Sequence, residues 1–258
     1  MRKLFFIIAM LGALSPAVYG AKAHPDFYQI KIYHLKNNEQ VNQVDEYLKN
    51  VYLPALHRFG VKNIGVFKPI ANDTALVKSI YVLISYKSAE AWMKLEEKLT
   101  RDANYTASAK SFSAVPYDKA PYERMQSVLL EAFSGQKHLL LPASKNTERV
   151  FELRSYESPT EDLFEKKIAM FNTGGEINIF KRLGFNPVFY ARVISGNRMP
   201  NFMYMPVFDN VLQRNAQWKI FGSDPQWKEI SAKPENENKV SVSHIDSILM
   251  HSTSYSDY

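Results

Sequence analysis

The sequence predicts an α+β fold made of two similar β-α-β-β-α-β units in tandem, within a chain of 258 residues. The first observation is order-preserving self-similarity. "YQIKIY" (28–33) lies over "FELRSY" (151–156), and "HRFGVKNIGVFK" (57–68) over "KRLGFNPVFYAR" (181–192). "RDANY" (101–105) lies over "SDPQW" (223–227), and "MQSVLLEAFS" (125–134) over "IDSILMHSTS" (245–254), all at offsets of 120 to 124. The second observation is periodicity: apolar/polar alternation marks strands, and apolar residues three and four apart mark helices, in the same order in both halves. The third is punctuation, with Gly60 and Gly184 closing the first helical stretch of each unit. The units run over 27–134 and 150–254, with 135–149 as linker.

In the first unit, "FYQIKIYHL" (27–35) is a strand. A helix follows, with Val41, Val44, Leu48, Val51, Ala55 and Phe59 on one stripe and a break expected at Pro54. "IGVFK" and "SIYVLISY" (79–86) are the next strands, Ser88 caps a second helix, and "SVLLEAF" (127–133) is the last strand. In the second unit "VFELRSYES" (150–158) is the first strand, and Ser158-Pro159-Thr160-Glu161 reads as N-cap, first-turn proline and capping-box glutamate. Gly174-Gly175 should interrupt that helix. "VFYARV" and "NFMYMPVF" (201–208) follow, then a helix capped by Asp209 and a closing strand, "VSHIDSILM" (242–250). This order is the ferredoxin-like split βαβ arrangement.

Residues 1–20 have the three-part layout of a secretory signal peptide: Arg2 and Lys3, an apolar run from Leu4 to Leu14, and small-residue cleavage sites after Gly20 or Ala23. The run is shorter than the roughly 20 residues a membrane span needs. The expectation is an exported protein, periplasmic or secreted, with no stable membrane anchor after cleavage. The chain has no cysteine, which excludes disulfides, thiolate metal sites and a cysteine nucleophile. Its net charge of +6 comes without a dense Lys/Arg cluster, so no nucleic-acid partner is expected.

The second unit resembles the NIPSNAP family. The marks are the Tyr/Phe-Glu-Leu-Arg-x-Tyr opening, present as Phe151 to Tyr156, and an Arg-bearing helix followed by Asp-Pro-x-Trp, present as Arg214 and Asp224-Pro225-Gln226-Trp227. The resemblance covers 150–232; the first unit matches in outline, with Gln29 and Lys31 in place of Glu and Arg. It implies a dimeric α/β barrel, two ferredoxin-like sheets packed face to face, here formed as a pseudo-dimer by the tandem repeats. It implies no agreed reaction; fold relatives include haem-dependent and cofactor-free monooxygenases, isomerases and binding proteins.

Standard catalytic motifs are absent: there is no HExxH, GxSxG or paired-carboxylate pattern. His244 and Asp246 share a strand face without a third metal ligand, so no metal is expected, and no cofactor is assigned. His57 reads as a partner for a helix C-terminus, and Trp218 and Trp227 as packing residues. Alternation would put Phe151 and Leu153 against the helices, and Glu152, Arg154 and Tyr156 toward the other sheet, joined by Tyr190, Arg192, Gln29, Lys31 and Tyr33. On that reading these eight residues line a pocket between the sheets, with Arg154 or Arg192 anchoring a small aromatic or amphipathic anion. Two alternatives stand beside binding: an α/β-barrel monooxygenase or isomerase, haem-dependent or cofactor-free, and a structural module for self-association. A monomer with an internal pseudo-dimer is expected, with a homodimer as the alternative.

Overall fold

The computed structural model describes residues 24–143 and 146–258; the expected leader, 1–20, and both cleavage sites lie outside them. β1 (Phe27–Leu35) leads into α1 (Asn38–Tyr47), which begins where the Asn37 side chain accepts from Gln40 N and buries Val41, Val44 and Tyr47. One π-helical turn, Leu48–Tyr52, separates α1 from α2 (Leu53–Arg58). Pro54 falls in the first turn of α2, where its missing N–H and fixed φ are tolerated. β2 (Gly65–Pro69), β3 (Lys78–Tyr86), α3 (Ala89–Arg101), α4 (Ala103–Ser113) and β4 (Arg124–Ala132) complete the first unit. Ser88 caps α3, its hydroxyl accepting from Ala91 N.

The second unit contains β5 (Val150–Glu157), α5 (Glu161–Asn172), α6 (Glu176–Arg182), β6 (Asn186–Ser195) and β7 (Asn201–Phe208). It continues through α7 (Val211–Ser223), α8 (Pro225–Ser231) and α9 (Asn238–Ser241) to β8 (His244–Ser252). Two caps differ from expectation. Thr160, not Ser158, is extended (φ −145°) and accepts from Leu163 N, so α5 starts two residues later. Asn210, not Asp209, caps α7 by accepting from Gln213 N. The glycine pair does divide the helix: Gly175 takes φ +96°, open to glycine at little cost, just before α6.

The strands close into one barrel in the order β1-β3-β2-β8-β5-β7-β6-β4. It consists of two four-stranded ferredoxin-like sheets, β4-β1-β3-β2 and β8-β5-β7-β6, joined along β2–β8 and β4–β6. The tandem repeats therefore form a pseudo-dimeric α/β barrel.

Burial corrects the expected orientation of the strands. Phe151 and Leu153 belong to the apolar cluster inside the barrel, packed with Tyr28, Ile30, Leu83, Val128, Met203 and Met250 from both sheets. Tyr156, Tyr190 and Tyr204 belong to the separate cluster between the second sheet and its helices, and Tyr33 to the equivalent layer of the first. The polar sides of β1 and β5 thus face helices. The physical reason is partner supply. Between two sheets there are only other strand side chains, so that layer must be almost wholly apolar; helices can present donors and acceptors to a mixed face.

The barrel mouths are also filled. After β4, Phe133 N donates to Tyr190 O and Leu140 N to Val188 O, and Leu139 packs onto the barrel core. After β8, Thr253 N donates to Val66 O and Asp257 N to Ile64 O, and Tyr258 enters the core edge-on to Phe67 and Phe151. Each repeat thus ends in a segment that turns back over the barrel's own end. The expected pocket between the sheets is occupied by packed side chains.

Candidate functional site

Glu152 and Arg154 share one face of β5 and pair with each other there. Glu152 is fully buried and is surrounded by donors. Oε1 accepts from Arg154 Nη1 (2.6 Å), Arg214 Nη2 (2.7 Å) and Ser247 Oγ (2.7 Å). Oε2 accepts from Arg214 Nε (2.8 Å) and Trp218 Nε1 (2.7 Å). Arg214 and Trp218 stand four residues apart on α7, one turn of one face, so this carboxylate clamps α7 to the sheet. Burial alone would raise its pKa; the hydrogen bonds from Arg214 and Ser247 and the charge of Arg154 outweigh that and hold it at about 2. Arg154 is committed as well. Its Nη2 donates to Tyr156 Oη (2.7 Å), and its guanidinium lies 4.7 Å over the Trp218 ring.

A second buried group stands beyond the tyrosines. Glu176, the first residue of α6, is buried with Oε2 unpartnered. Burial pushes its pKa up to about 8, against the pull of Lys167 and Arg154. Lys167 on α5 is itself lowered by burial, and its Nζ donates to Asn236 O (3.1 Å) and Asn238 Oδ1 (2.9 Å).

The first repeat builds the matching layer from other groups. Lys31 Nζ donates to Tyr52 Oη (2.7 Å), on the π-helical turn, and pairs with Glu96 on α3 (3.2 Å). Gln29 donates to Ser127 Oγ (2.8 Å) and accepts from Tyr86 Oη (3.0 Å). Tyr33 packs edge-on to Tyr122.

Open space occurs outside the barrel, and one hollow lies under the linker. In the second repeat a hollow of about 690 Å³ has an aromatic floor of Phe185, Tyr190 and Phe208, with Ile177 beside it. Its outer wall is Leu140, Leu141 and Pro142, and the exposed Lys181 and the buried Arg149 line it with Asp209. Of the eight residues singled out in the sequence, Tyr190 alone lines it. Glu152, Arg154 and Tyr156 are brought together as expected, but into the clamp; Gln29, Lys31 and Tyr33 are gathered in the first repeat. Arg192 is directed outward, paired with Glu165 on α5 over the Phe164 ring. The anchoring role expected of Arg154 or Arg192 finds both already paired.

Sequence reasoning missed Ser247 and Glu176 and left Arg214 and Trp218 without a target. The spacing of Arg214 and Trp218 is the signal that was present, because a carboxylate on a strand and an Arg/Trp pair one helical turn apart can satisfy each other. His244 Nε2 lies 3.0 Å from Asp246 Oδ1, which also pairs with Arg198. No group of three metal-ligating side chains occurs among the described residues. Nor, among them, is any helix long and apolar enough to cross a membrane.

Residues 151–257 match the NIPSNAP family model. No match is found among curated proteins. Among solved structures, the chain is similar to a monooxygenase-like protein from Lactobacillus acidophilus NCFM, at 13% identity and TM-score 0.55, covering 88% of this chain and 94% of that one. A monooxygenase-like protein from Fusobacterium nucleatum subsp. nucleatum gives 10% identity and TM-score 0.57, covering 89% and 93%. An anthrone oxidase-like protein gives 8% identity and TM-score 0.55, covering 89% and 92%. At these identities the likeness is one of fold.

Proposed function

We propose, for a chain whose residues 151–257 match the NIPSNAP family model, that it binds a small amphipathic molecule with an aromatic body and one anionic group. The binding site on this reading is the second-repeat hollow. The observation that carries it is that hollow's build: about 690 Å³, within the range of roughly 300–1,000 Å³ that small-molecule sites occupy, with aromatic rings and the exposed cation Lys181 in its lining. The rings would take the body of the ligand, and Lys181 its anionic group, with Arg149 held back by Asp209 at 3.7 Å. The barrel interior is set aside because packed side chains fill it.

The test uses native mass spectrometry of the purified protein for a co-purifying molecule and titration with 2-naphthoate. Ile177→Trp, which fills the hollow, should abolish saturable binding, and Lys181→Glu should weaken it at least tenfold. Binding unchanged in both variants contradicts the assignment.

Export completes the proposal: N-terminal sequencing of protein from the medium or periplasm should begin after Gly20 or Ala23, and an intact Met1 there contradicts it.

A further inference from the structure

The pseudo-symmetry gives the first repeat its own hollow, about 540 Å³, bounded by the segment after α2, the end of β3, α3 and the linker. Its lining is of a different kind. Lys62, Lys87, Lys94 and Lys98 line it with His138, and Asp26 is the one carboxylate among its lining residues. Asp26 is buried and already committed, with its Oδ1 3.0 Å from Lys87 Nζ and 3.2 Å from His138 Nδ1. It therefore holds two of the basic side chains at the mouth. Lys94 is paired with Glu90 on the exposed face of α3. Among the described residues, neither Lys62 nor Lys98 is paired with a carboxylate. Beneath the lysines lie Phe59, Val61, Leu95 and Leu139, a patch that can hold an apolar body.

The fold does not require these cations. In the repeat alignment the positions of Lys62 and Lys87 are taken by Asn186 and Asp209 in the second unit, where the same architecture stands without them. We infer that the first-repeat hollow is a second binding site, for an organic dianion, a phosphate monoester carried on an apolar group. The dianionic head would meet Lys62 and Lys98, with Lys87 and His138 set in place by Asp26, while the apolar part rests on Phe59 and Leu139. This site is independent of the second-repeat site proposed above, and its ligand differs in charge.

Isothermal titration of the full mature chain with phenyl phosphate tests it, beside inorganic phosphate and phenol as partial probes. With the second-repeat hollow closed by Ile177→Trp, one saturable site is expected for phenyl phosphate, tighter than for either partial probe and weakening as salt is raised. Lys62→Glu with Lys98→Glu should weaken binding at least tenfold. Both residues are exposed, so the double variant should keep the wild-type thermal midpoint. No saturable binding, or binding retained in the Lys62/Lys98 variant, overturns the site. Inorganic phosphate binding as tightly as phenyl phosphate overturns the apolar half of the assignment. Loss in Lys181→Glu alone moves the anion to the other hollow and also overturns it.

Discussion

The two repeats solve one packing problem with charge pairs that cross the sheet–helix layer in opposite directions. In the second, the strand supplies the acid, Glu152, and the helix supplies Arg214 and Trp218. In the first, the strand supplies the base, Lys31, and the helix supplies Glu96. The serines Ser247 and Ser127 occupy the same place beside them, bonded to Glu152 and Gln29. Fold geometry therefore asks for a complementary pair across the sheet–helix layer and leaves its direction free. This is why the first repeat keeps the architecture although the family model matches only residues 151–257, and why the two hollows under the linker can differ in charge.

The comparison breaks most readily at Glu152. Glu152→Gln leaves two buried or half-buried arginines and an indole N–H short of their acceptor, and should cost about 3–5 kcal/mol. In a chain of this size that is a fall of the order of 10 °C in the thermal midpoint. Gln29→Ala, in the equivalent place, removes only neutral hydrogen bonds and should cost about 1–2 kcal/mol. Equal losses at the two positions would show that the clamp is not peculiar to the second repeat.

Acid titration sharpens the same contrast. Glu152 is depressed to about 2 from an ordinary 4.5. Its contribution is therefore complete above about pH 4.5 and is lost as pH falls toward 2. Urea unfolding across that window should show a steep loss for the wild type and a shallower one for Glu152→Gln. Matching slopes would mean that the carboxylate is not held ionised.

Glu176 carries the reverse sign. Its folded pKa is raised to about 8, so its neutral form is favoured in the fold and stability declines as pH climbs from about 4.5 through 8. Glu176→Gln should be more stable than the wild type at pH 8.5, with the difference vanishing near pH 4.5. A variant less stable at pH 8.5 would make the ionised pair with Lys167 the favoured state. The smallest effect belongs to Lys31→Met. Its partner Glu96 is 40% exposed, so solvent screens the pair, and about 1 kcal/mol is expected in the same unfolding assay.

How far the sequence was legible follows from which interactions are local. The helix split just before Pro54, the Gly174-Gly175 break and the Ser88 cap depend on neighbours within a turn or two, and each could be read directly. The caps at Thr160 and Asn210 slipped by one or two residues because several adjacent side chains could fill the position, and tertiary packing chose among them. The orientation of β1 and β5 was inverted. Alternation shows that Phe151 and Glu152 face opposite ways, but which layer each enters depends on partners more than fifty residues away. The second-repeat hollow was invisible for the same reason, since its wall of Leu140 to Pro142 and its floor of Phe185, Tyr190 and Phe208 meet only in the folded chain.

The most direct test of the account is nuclear Overhauser contact between bound 2-naphthoate and protein methyl groups, in protein labelled at isoleucine δ1 and methionine ε positions. Met203, Met205 and Met250 report on the barrel interior, and Ile177 on the second-repeat hollow. The account predicts contacts to Ile177 and none to the three methionines. Contacts to Met203, Met205 or Met250 without Ile177 would put the ligand between the sheets and contradict it.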